Sequence, residues 1–459
     1  MSRKLPDNFN KLTAASLKFE PQDDGRVMQT RKYKLITPLF GGGVEAKKAD
    51  PIKVIRETSI RGQLRFWWRA MRGDGDLKTM LKREGEIFGI GGECARQSKV
   101  LISVTIDNEG KGEKIFEVNH KGKLQAKKQW EKIGYAAFPL DEPDQKEVLL
   151  DVEFSLEILF PEYVEIAKQN DNSRETINLR AEIEAALWAW ETFGGIGGRT
   201  RRGFGALELL SVTENENSIE IKKYKSATAA EDIRKYLQFH LLKGKHCNEQ
   251  TPHLSAETVF TVRRIEYSNA TEAWSVLIEK LQLFRQFRLK DKDQYGNRIE
   301  PVLDKHGKSQ WSEAGSIRHL VLRDAKPEVV KFPRSEFGLP INFYFETPKE
   351  DKNDLLRLSK NNKPEVKLTA KDDAIDRLAS PLILRPIQCA DKKCVALGLI
   401  LDSPRKPENG VALKNLKSGS ITVSPTLDEN EFAILAQNGL TPLKNKTDVL
   451  QAFLDYLKN

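Results

Sequence analysis

The sequence is poor in cysteine and has no long apolar segment. Its 459 residues include only four cysteines, too few for the disulfide framework of a protein of this size. No apolar run approaches the ~20 residues of a membrane-spanning helix. The opening stretch, MSRKLPDNFNKLTAAS, also lacks the apolar segment of a secretory signal. We therefore expect a cytoplasmic protein with no membrane association.

Metal-ligand spacings are also missing. Cys389 and Cys394 are close in sequence, but PIQCADKKCVALGLIL is typical of two strands joined by a polar turn. No second pair of cysteines or histidines completes a zinc site. The sequence predicts neither a structural metal nor a cofactor.

The charge balance is basic. The formal net charge is +9 and the pI is near 9.1, which favours a polyanionic partner. Many basic proteins bind no nucleic acid, so the position of the charge has to decide. The hydrophobic fraction of 39% is sufficient for a buried core, and the length suggests two or three domains.

Hydrophobic periodicity predicts an α+β fold that begins with a β-α-β-β-α-β unit. The predicted strands span 27–40, 99–107, 148–160 and 206–212, and the predicted helices span 59–73 and 178–193. Ser59 and Asn178 are the expected N-caps, and Gly194 is the expected C-terminal glycine. Such a unit has both helices on one face of an antiparallel sheet, and RNA-binding domains of this layout use the other face.

The second half predicts a further, decorated α+β domain. Strands are expected at 257–267, 339–346, 380–389 and 395–403, and helices at 271–287 and 447–458. Lysine-rich stretches at 108–133, 290–313 and 347–373 are expected to be exposed insertions. We place the domain boundary between residues 215 and 216, giving domains 1–215 and 216–459.

A basic helix is encoded by ETSIRGQLRFWWRAMRG, residues 57–73. Its apolar side is a stripe formed by Ile60, Leu64, Trp67 and Met71. An adjoining arc of arginines is formed by Arg61, Arg65, Arg69 and Arg72. Only Glu57 is acidic in this stretch, so an anionic partner would relieve the repulsion between the arginines. The alternative is a solvated face neutralised by surface carboxylates. Trp67 is expected in the core, whereas Trp68, at the edge of the stripe, is a candidate for base stacking.

A glycine-rich loop, GGIGGRTRRGFGALELL, follows the second helix at residues 194–210. Its glycines allow positive φ and close approach of another chain, and exposed main-chain N–H groups form anion nests. Its arginines suit bidentate phosphate contacts. A Walker loop is excluded because the GK[ST] ending is missing and the loop follows a helix. Turning between helix and strand would explain one or two of the six glycines, so we expect the loop to bind RNA or another phosphate-bearing ligand.

Together, TPLFGGG, SIRGQLRFWWRAMRG and GGIGGRTRRGFGAL resemble the RAMP superfamily of CRISPR RNA-binding proteins. The RGQLRFWWR helix is similar to the large RAMP subunit counted first in the Cmr, or type III-B, effector complex. LASPLILRPI, residues 378–387, resembles the C-terminal half of the same family. The N-terminal motifs carry most of the resemblance.

The resemblance implies two ferredoxin-like (RRM-like) domains with insertions and a place beside other Cmr subunits. It implies binding of guide RNA near its 3′ end, help in holding target RNA, and no catalysis by this subunit. The RNA-contacting positions that it implies are Arg61, Gly62, Arg65, Trp68, Arg69, Gly197, Gly198, Arg199, Arg201 and Arg202. The lysine-rich insertions match no family motif.

Two other functions stay open at this point. Some RAMP relatives are metal-independent endoribonucleases that process guide precursors, a reaction that needs a general base such as histidine. The six histidines are His120, His240, His246, His253, His306 and His319, and none lies in either basic motif. Only HCNEQTPHL brings His246, Cys247 and His253 together. The second possibility is a structural subunit whose arginines bind acidic protein neighbours.

Overall fold

The computed structural model describes most of the N-terminal half and about two thirds of the rest. The described residues are 25–45, 47–92, 95–140, 146–167, 173–245, 247–289, 308–309, 311, 313, 317, 331–344, 365–371, 377–416, 419–430, 432–433 and 448–458. His246, His306 and His319 lie outside them, as do most of the predicted insertions at 290–313 and 347–373.

The described chain contains both strands and helices, and many of the strands follow one another without an α-helix between them. The strands are β1 (Arg26–Leu35), β2 (Leu101–Asn108), β3 (Lys111–Glu113), β4 (Phe116–Val118), β5 (Leu124–Ala126), β6 (Val148–Leu150), β7 (Glu153–Pro161), β8 (Tyr163–Ala167), β9 (Arg174–Asn178), β10 (Leu207–Glu214), β11 (Asn217–Ile219), β12 (Phe260–Val262), β13 (Arg288–Leu289), β14 (Lys308–Ser309), β15 (Ile341–Tyr344), β16 (Glu365–Ala370), β17 (Leu382–Gln388), β18 (Cys394–Ile400), β19 (Val411–Leu416) and β20 (Gly419–Val423). The helices are α1 (Glu57–Arg72), α2 (Leu77–Phe88), α3 (Gly134–Ala137), α4 (Leu179–Phe193), α5 (Ala229–His240), α6 (Ala270–Gln286) and α7 (Val449–Lys458).

The first sheet contains the predicted β-α-β-β-α-β elements, which are β1, α1, β2, β7, α4 and β10. Its strand order is β11-β10-β1-β7-β2, and every neighbouring pair is antiparallel. Alternate residues of β1 are buried, as expected for a strand covered on one face. Helices α1 and α4 lie side by side on that covered face. The N-terminal half is therefore α+β with an antiparallel sheet, as predicted.

The ends of the two helices test the predicted caps. The Asn178 side chain accepts a hydrogen bond from the Ala181 N–H at 2.9 Å, and Gly194 ends α4, so both predictions are confirmed. The Ser59 cap is wrong because α1 already begins at Glu57, after an extended Arg56. The Glu57 carboxylate in the first turn favours this earlier start through the helix dipole.

A second sheet, β12-β18-β17, lies behind the helices. On one of its faces, Ile383 and Leu397 join the core that contains α4, while on the other, Leu384 and Ala396 pack with α6 and α7. Strands buried on both faces explain the uninterrupted apolar run VALGLIL. Cys389 and Cys394 lie at the turn between β17 and β18 and are free thiols, which confirms the predicted pair of strands.

A third, four-stranded sheet, β15-β16-β19-β20, has its own small core. The lysine-rich stretch at 108–133 is less exposed than expected. It forms paired short strands, and Trp130 and Ile133 join the core around α6. The sequence analysis does not predict α2 and α5. Among the described residues, no helix is both long and apolar enough to cross a lipid bilayer.

His240, the last residue of α5, lies against the Trp188 ring with the ring centroids 5.2 Å apart. Burial lowers the pKa of His240 from 6.5 to about 4, opposed by the nearby Glu184 charge and assisted by Arg72. In the unfolded chain His240 is therefore protonated near pH 6.5, whereas in the folded chain it is protonated only near pH 4. The free energy of unfolding therefore falls as the pH drops from about 6.5 to about 4.

We expect the melting temperature of the wild type to fall more between pH 7 and pH 5 than that of His240→Gln. Comparing the two proteins cancels the shared contributions, including that of Glu336, whose carboxyl pKa is raised by burial to about 7. An equal fall in both proteins would show that His240 is not the acid-sensitive group.

Candidate nucleic-acid interface

The glycine-rich loop is tightly packed inside the chain. Gly197, Gly203 and Gly205 have φ of 81°, 83° and 59°. A Cβ on Gly205 would lie 2.0 Å from the Ile196 carbonyl oxygen, and one on Gly203 would lie 2.6 Å from the Trp274 ring. A Cβ added to Gly194, Gly195 or Gly197 would also lie less than 3.0 Å from its nearest heavy atom. The expectation that turning needs only one or two glycines is wrong, because internal packing requires most of them.

The main-chain amides of the loop are also largely used within the chain. Gly198 N–H donates to the Phe40 carbonyl at 2.6 Å, and Gly205 N–H donates to the Pro38 carbonyl at 2.9 Å. Ile196 N–H donates to the Gly205 carbonyl at 3.0 Å. These bonds fasten the loop to the segment that contains TPLFGGG. The charged groups through which the loop can attract an anion are its arginine side chains.

The three loop arginines donate to main-chain carbonyls. Arg199 donates to the Ala136 carbonyl at 2.7 Å, and Arg201 donates to that of Ser380. Arg202 donates to the Leu382 carbonyl at 3.0 Å. All three side chains are partly buried. They therefore link the glycine loop to the 108–140 region and to the start of β17.

A fourth arginine, Arg285 near the end of α6, joins this group. Its charge lowers the pKa of both Arg199 and Arg202, although burial is the larger cause, and these values fall to about 10 and about 9. Because a guanidinium stays protonated in proteins, the crowding costs stability instead of releasing protons. We call Arg199, Arg201, Arg202 and Arg285 the loop-cation cluster.

The loop-cation cluster has no carboxylate within 4 Å among the residues that the structure describes. The Nε of Arg285 is buried without a hydrogen-bond partner. The sequence analysis missed Arg285 because it lies in an ordinary amphipathic helix, and only the fold brings it to the loop. The cluster is thus a concentration of positive charge that this part of the chain leaves uncompensated.

The arginines of α1 behave differently. Arg65 Nε and Arg69 Nη1 lie 2.5 and 2.6 Å from one oxygen of Glu84, a fully buried side chain on α2. Arg72 pairs with Glu182 on α4 at 2.5 Å. The acidic partners of these three arginines come from other elements, so the alternative of neutralisation by carboxylates of the same chain applies to them.

The first turns of α1 keep exposed positions. Arg61 is exposed and has no recorded partner among the described residues. Gly62 is also exposed, and a Cβ there would meet nothing within 4 Å. A glycine inside a helix costs about 1 kcal/mol relative to alanine, and packing within the chain gives no reason for it here.

Both tandem tryptophans lie in the core. Trp67 is 2% exposed, as predicted. Trp68 is 1% exposed, and its indole N–H donates to Glu182 at 2.8 Å. Trp68 offers no ring face to a base in this structure, because it fills the space between α1 and α4 instead of lying at the helix surface.

The two basic motifs meet in space. The Arg201 guanidinium carbon lies 5.8 Å from the centroid of the Phe66 ring on α1. A Cβ on Gly42, within TPLFGGG, would lie 3.3 Å from the Gly197 Cα. Arg56 donates to the Gly42 carbonyl at 3.1 Å. The three sequence motifs therefore form one contiguous region at the junction with the second sheet.

The open face of the first sheet carries mixed charge. Lys34 lies 3.6 Å from Glu153 and 3.5 Å from Asp151. The aromatic residues of β1 and β7, Tyr33, Phe154 and Phe160, are buried on the opposite face. Among the residues that the structure describes, this open face therefore has no aromatic platform like the one with which RRM domains stack bases.

The alternative enzyme hypothesis rests on His246 and His253, and the structure describes only His253. His253 Nδ1 lies 2.9 Å from the Thr251 carbonyl oxygen. A hydrogen bond with His253 opposes burial and leaves the pKa of the Cys247 thiol below its usual value, while the same bond raises the pKa of His253. His253 lies beside Asp402. The N–H of the next residue, Leu254, donates to the Ala70 carbonyl of α1 at 3.0 Å, so this segment borders α1.

Comparison with known proteins finds one family-model match over part of the chain and two curated relatives. Residues 32–208 match the family model of the RAMP superfamily, which confirms the predicted resemblance. The CRISPR system Cmr subunit Cmr1-2 of Pyrococcus furiosus is 25% identical over 186 residues, covering 39% of this chain and 93% of that protein. Cmr subunit Cmr1-1 of the same organism is 22% identical over 290 residues, covering 62% of this chain and 70% of that protein.

Two solved structures overlay most of the chain. The apo crystal structure of Cmr1 from Pyrococcus furiosus has a TM-score of 0.45 and 14% identity, covering 90% of this chain and 96% of that one. A chain in the cryo-EM structure of the Type III-B Cmr-beta bound to cognate target RNA has a TM-score of 0.46 and 13% identity. That overlay covers 94% of this chain and 100% of the other.

Proposed function

We propose that this chain, whose residues 32–208 match the family model of the RAMP superfamily, is a non-catalytic RNA-binding subunit of a type III-B CRISPR (Cmr) effector complex. It binds guide RNA near its 3′ end and helps to hold target RNA, beside other Cmr subunits in the cytoplasm. The curated relatives, which are Cmr subunits, support this assignment. The proposal keeps domains 1–215 and 216–459, each built on a ferredoxin-like unit.

The observation that carries the proposal is the contrast between two groups of arginines. On α1, Arg65, Arg69 and Arg72 are neutralised by buried glutamates. The loop-cation cluster has only carbonyl partners and ring contacts among the described residues. Because unpaired cations repel one another at short range, a polyanion that enters the cluster gains binding energy and relieves a cost of folding.

The RNA surface therefore consists of the loop-cation cluster and the exposed start of α1. Arg61, Arg199, Arg201 and Arg202 contact phosphates, and Gly62 lets the strand approach the helix backbone. Arg65 and Arg69 border this surface, held in place by Glu84, and Gly197 and Gly198 shape the loop. Phosphate contacts position an RNA without reading its sequence, so sequence is read by guide–target pairing.

The test is a double substitution, Arg61→Gln with Arg199→Gln. We expect the affinity for single-stranded RNA to fall at least tenfold at low salt. The slope of log K against log salt should fall by about 1.4, or ~0.7 for each lost phosphate contact. Filter binding at several salt concentrations measures both quantities.

The matched control is Arg174→Gln with Arg264→Gln, which removes two exposed arginines outside the proposed surface. This variant has the same net charge, so it should keep most of the affinity and the slope. If both double variants bind RNA equally well and only the first fails to assemble with other Cmr subunits, the arginines bind acidic protein instead. Metal-free cleavage of a labelled guide precursor that is lost in His253→Ala would favour the endoribonuclease.

A further inference from the structure

Phe138 is an exposed aromatic residue beside the loop-cation cluster. It is 62% exposed and begins a short 3-10 turn directly after α3. Its neighbours Ala137 and Leu140 are fully or almost fully buried, so the backbone that carries the ring is anchored in the core. A single exposed phenylalanine is ordinary on a protein surface, and its meaning has to come from what surrounds it.

Arg199 lies over the Phe138 ring. The guanidinium carbon is 4.6 Å from the ring centroid, a cation–π distance. The Nη1 of Arg199 donates to the Ala136 carbonyl at 2.7 Å, which fixes the guanidinium next to the ring. A guanidinium has five N–H donors, and the described residues use one of them, so donors remain for a ligand at the edge of the ring.

Arg285 provides a second cation for the same place. Its charge acts on both Arg199 and Arg202, and its guanidinium carbon lies 5.9 Å from the centroid of the Tyr135 ring. A flat apolar ring, exposed and rigidly mounted, therefore stands beside guanidiniums that have no carboxylate partner among the described residues. Aromatic rings combined with cations are the means by which proteins bind unpaired nucleotides.

We propose that Phe138 stacks against an unpaired base of the bound RNA while Arg199 and Arg285 hold the adjacent phosphate. The ligand is a single-stranded nucleotide, because bases within a duplex are stacked on each other and cannot offer a face to the ring. The inference rests on the proposed function and extends it to the 108–140 region, which the family motifs leave unexplained. A protein partner would cover the ring equally well, but the concentration of positive charge around it favours a polyanion.

The test compares Phe138→Ala, Phe138→Leu and Phe138→Trp in binding to single-stranded RNA. Stacking predicts that Phe138→Ala weakens binding about tenfold, within the range measured for loss of a base–aromatic stack. Phe138→Leu keeps an apolar side chain but no flat ring, so it should lose nearly as much, whereas Phe138→Trp should bind as well as the wild type. The salt slope should stay unchanged, because no phosphate contact is removed.

Phe239→Ala is the matched control, since it removes a phenylalanine that is 77% exposed on α5, and it should bind as the wild type does. Unchanged binding in Phe138→Ala overturns the stacking role. A loss accompanied by a lower salt slope also overturns it, because the ring would then only position Arg199. If the Arg61 and Arg199 double variant loses affinity while Phe138→Ala does not, this inference alone fails. If wild-type protein binds no RNA, both proposals fail.

Discussion

Replacing Arg385 with methionine is expected to lower the free energy of unfolding by about 3 kcal/mol, mostly through buried carbonyl groups that lose a hydrogen-bond donor. Arg385 lies on β17 and is 1% exposed. Its guanidinium donates to the carbonyls of Trp190, at 3.2 Å, and Gly194, at the C-terminal end of α4. It also donates to the Leu207 carbonyl at 2.8 Å. The side chain thus joins β17 to both ends of the glycine-rich loop.

The magnitude follows from opposing contributions. Methionine has a similar length and would fill most of the apolar space, but it donates no hydrogen bond. Each buried carbonyl that loses its partner costs about 1–3 kcal/mol, and a cation at a helix C-terminus contributes up to about 2 kcal/mol. Removing a buried charge gives some of this back, since burial lowers the pKa of Arg385 to about 9.

Urea unfolding followed by tryptophan fluorescence measures the change in stability. Arg377→Met is the matched control in the same segment, because Arg377 is exposed. A surface substitution of this kind changes stability by within ~0.5 kcal/mol. If Arg385→Met were as stable as the wild type, the carbonyls must have found other donors, and Arg385 would not be the link between the two sheets.

The sequence predicts local structure well where one period dominates. The alternation in β1 and the stripe in α1 identify their elements, and Asn178 identifies the start of α4. The two-sided burial of VALGLIL is equally local, because a short apolar run without alternation is typical of a strand covered on both faces. These features depend on residues only a few positions apart, so a single sequence contains them.

Ion pairs between residues that are far apart in the sequence could not be predicted from the sequence. Glu84 neutralises Arg65 and Arg69 from a different helix, and Glu182 reaches Arg72 across 110 residues. The same limit hid Arg285. A lone arginine inside the apolar run of LASPLILRPI was a usable signal for Arg385, because a charge in a buried strand requires dedicated partners.

Glycine composition was the signal most easily misread. Six glycines suggested close approach of RNA, whereas the structure shows that they meet other parts of this chain. Gly194 lies against Trp67 and Trp190, and Gly203 lies against Trp274. Composition records that small residues are needed but does not record which surface needs them. The arginines of the loop keep their proposed role, and most of the glycines are assigned to packing.

Gly205→Ala is expected to destabilise the protein by at least about 3 kcal/mol, a value typical of strain at a left-handed position combined with a backbone clash. Its φ is 59°, and a Cβ would lie 2.0 Å from the Ile196 carbonyl oxygen and 2.9 Å from the Ile196 carbonyl carbon. Neither neighbour is a flexible side chain, so the backbone has to shift. That shift would disturb the bonds from Ile196 N–H to the Gly205 carbonyl and from Gly205 N–H to the Pro38 carbonyl.

Gly62→Ala makes the same chemical change at a position with open space, inside helix α1. It should stabilise the protein by about 0.5–1 kcal/mol, because alanine favours the helix and restricts the unfolded chain. The two variants therefore shift the urea midpoint in opposite directions. If Gly205→Ala unfolded at the wild-type midpoint but lost RNA affinity, the loop glycines would serve close approach of RNA after all. If Gly62→Ala were more stable and weaker in RNA binding, the strand would pass directly over the start of α1.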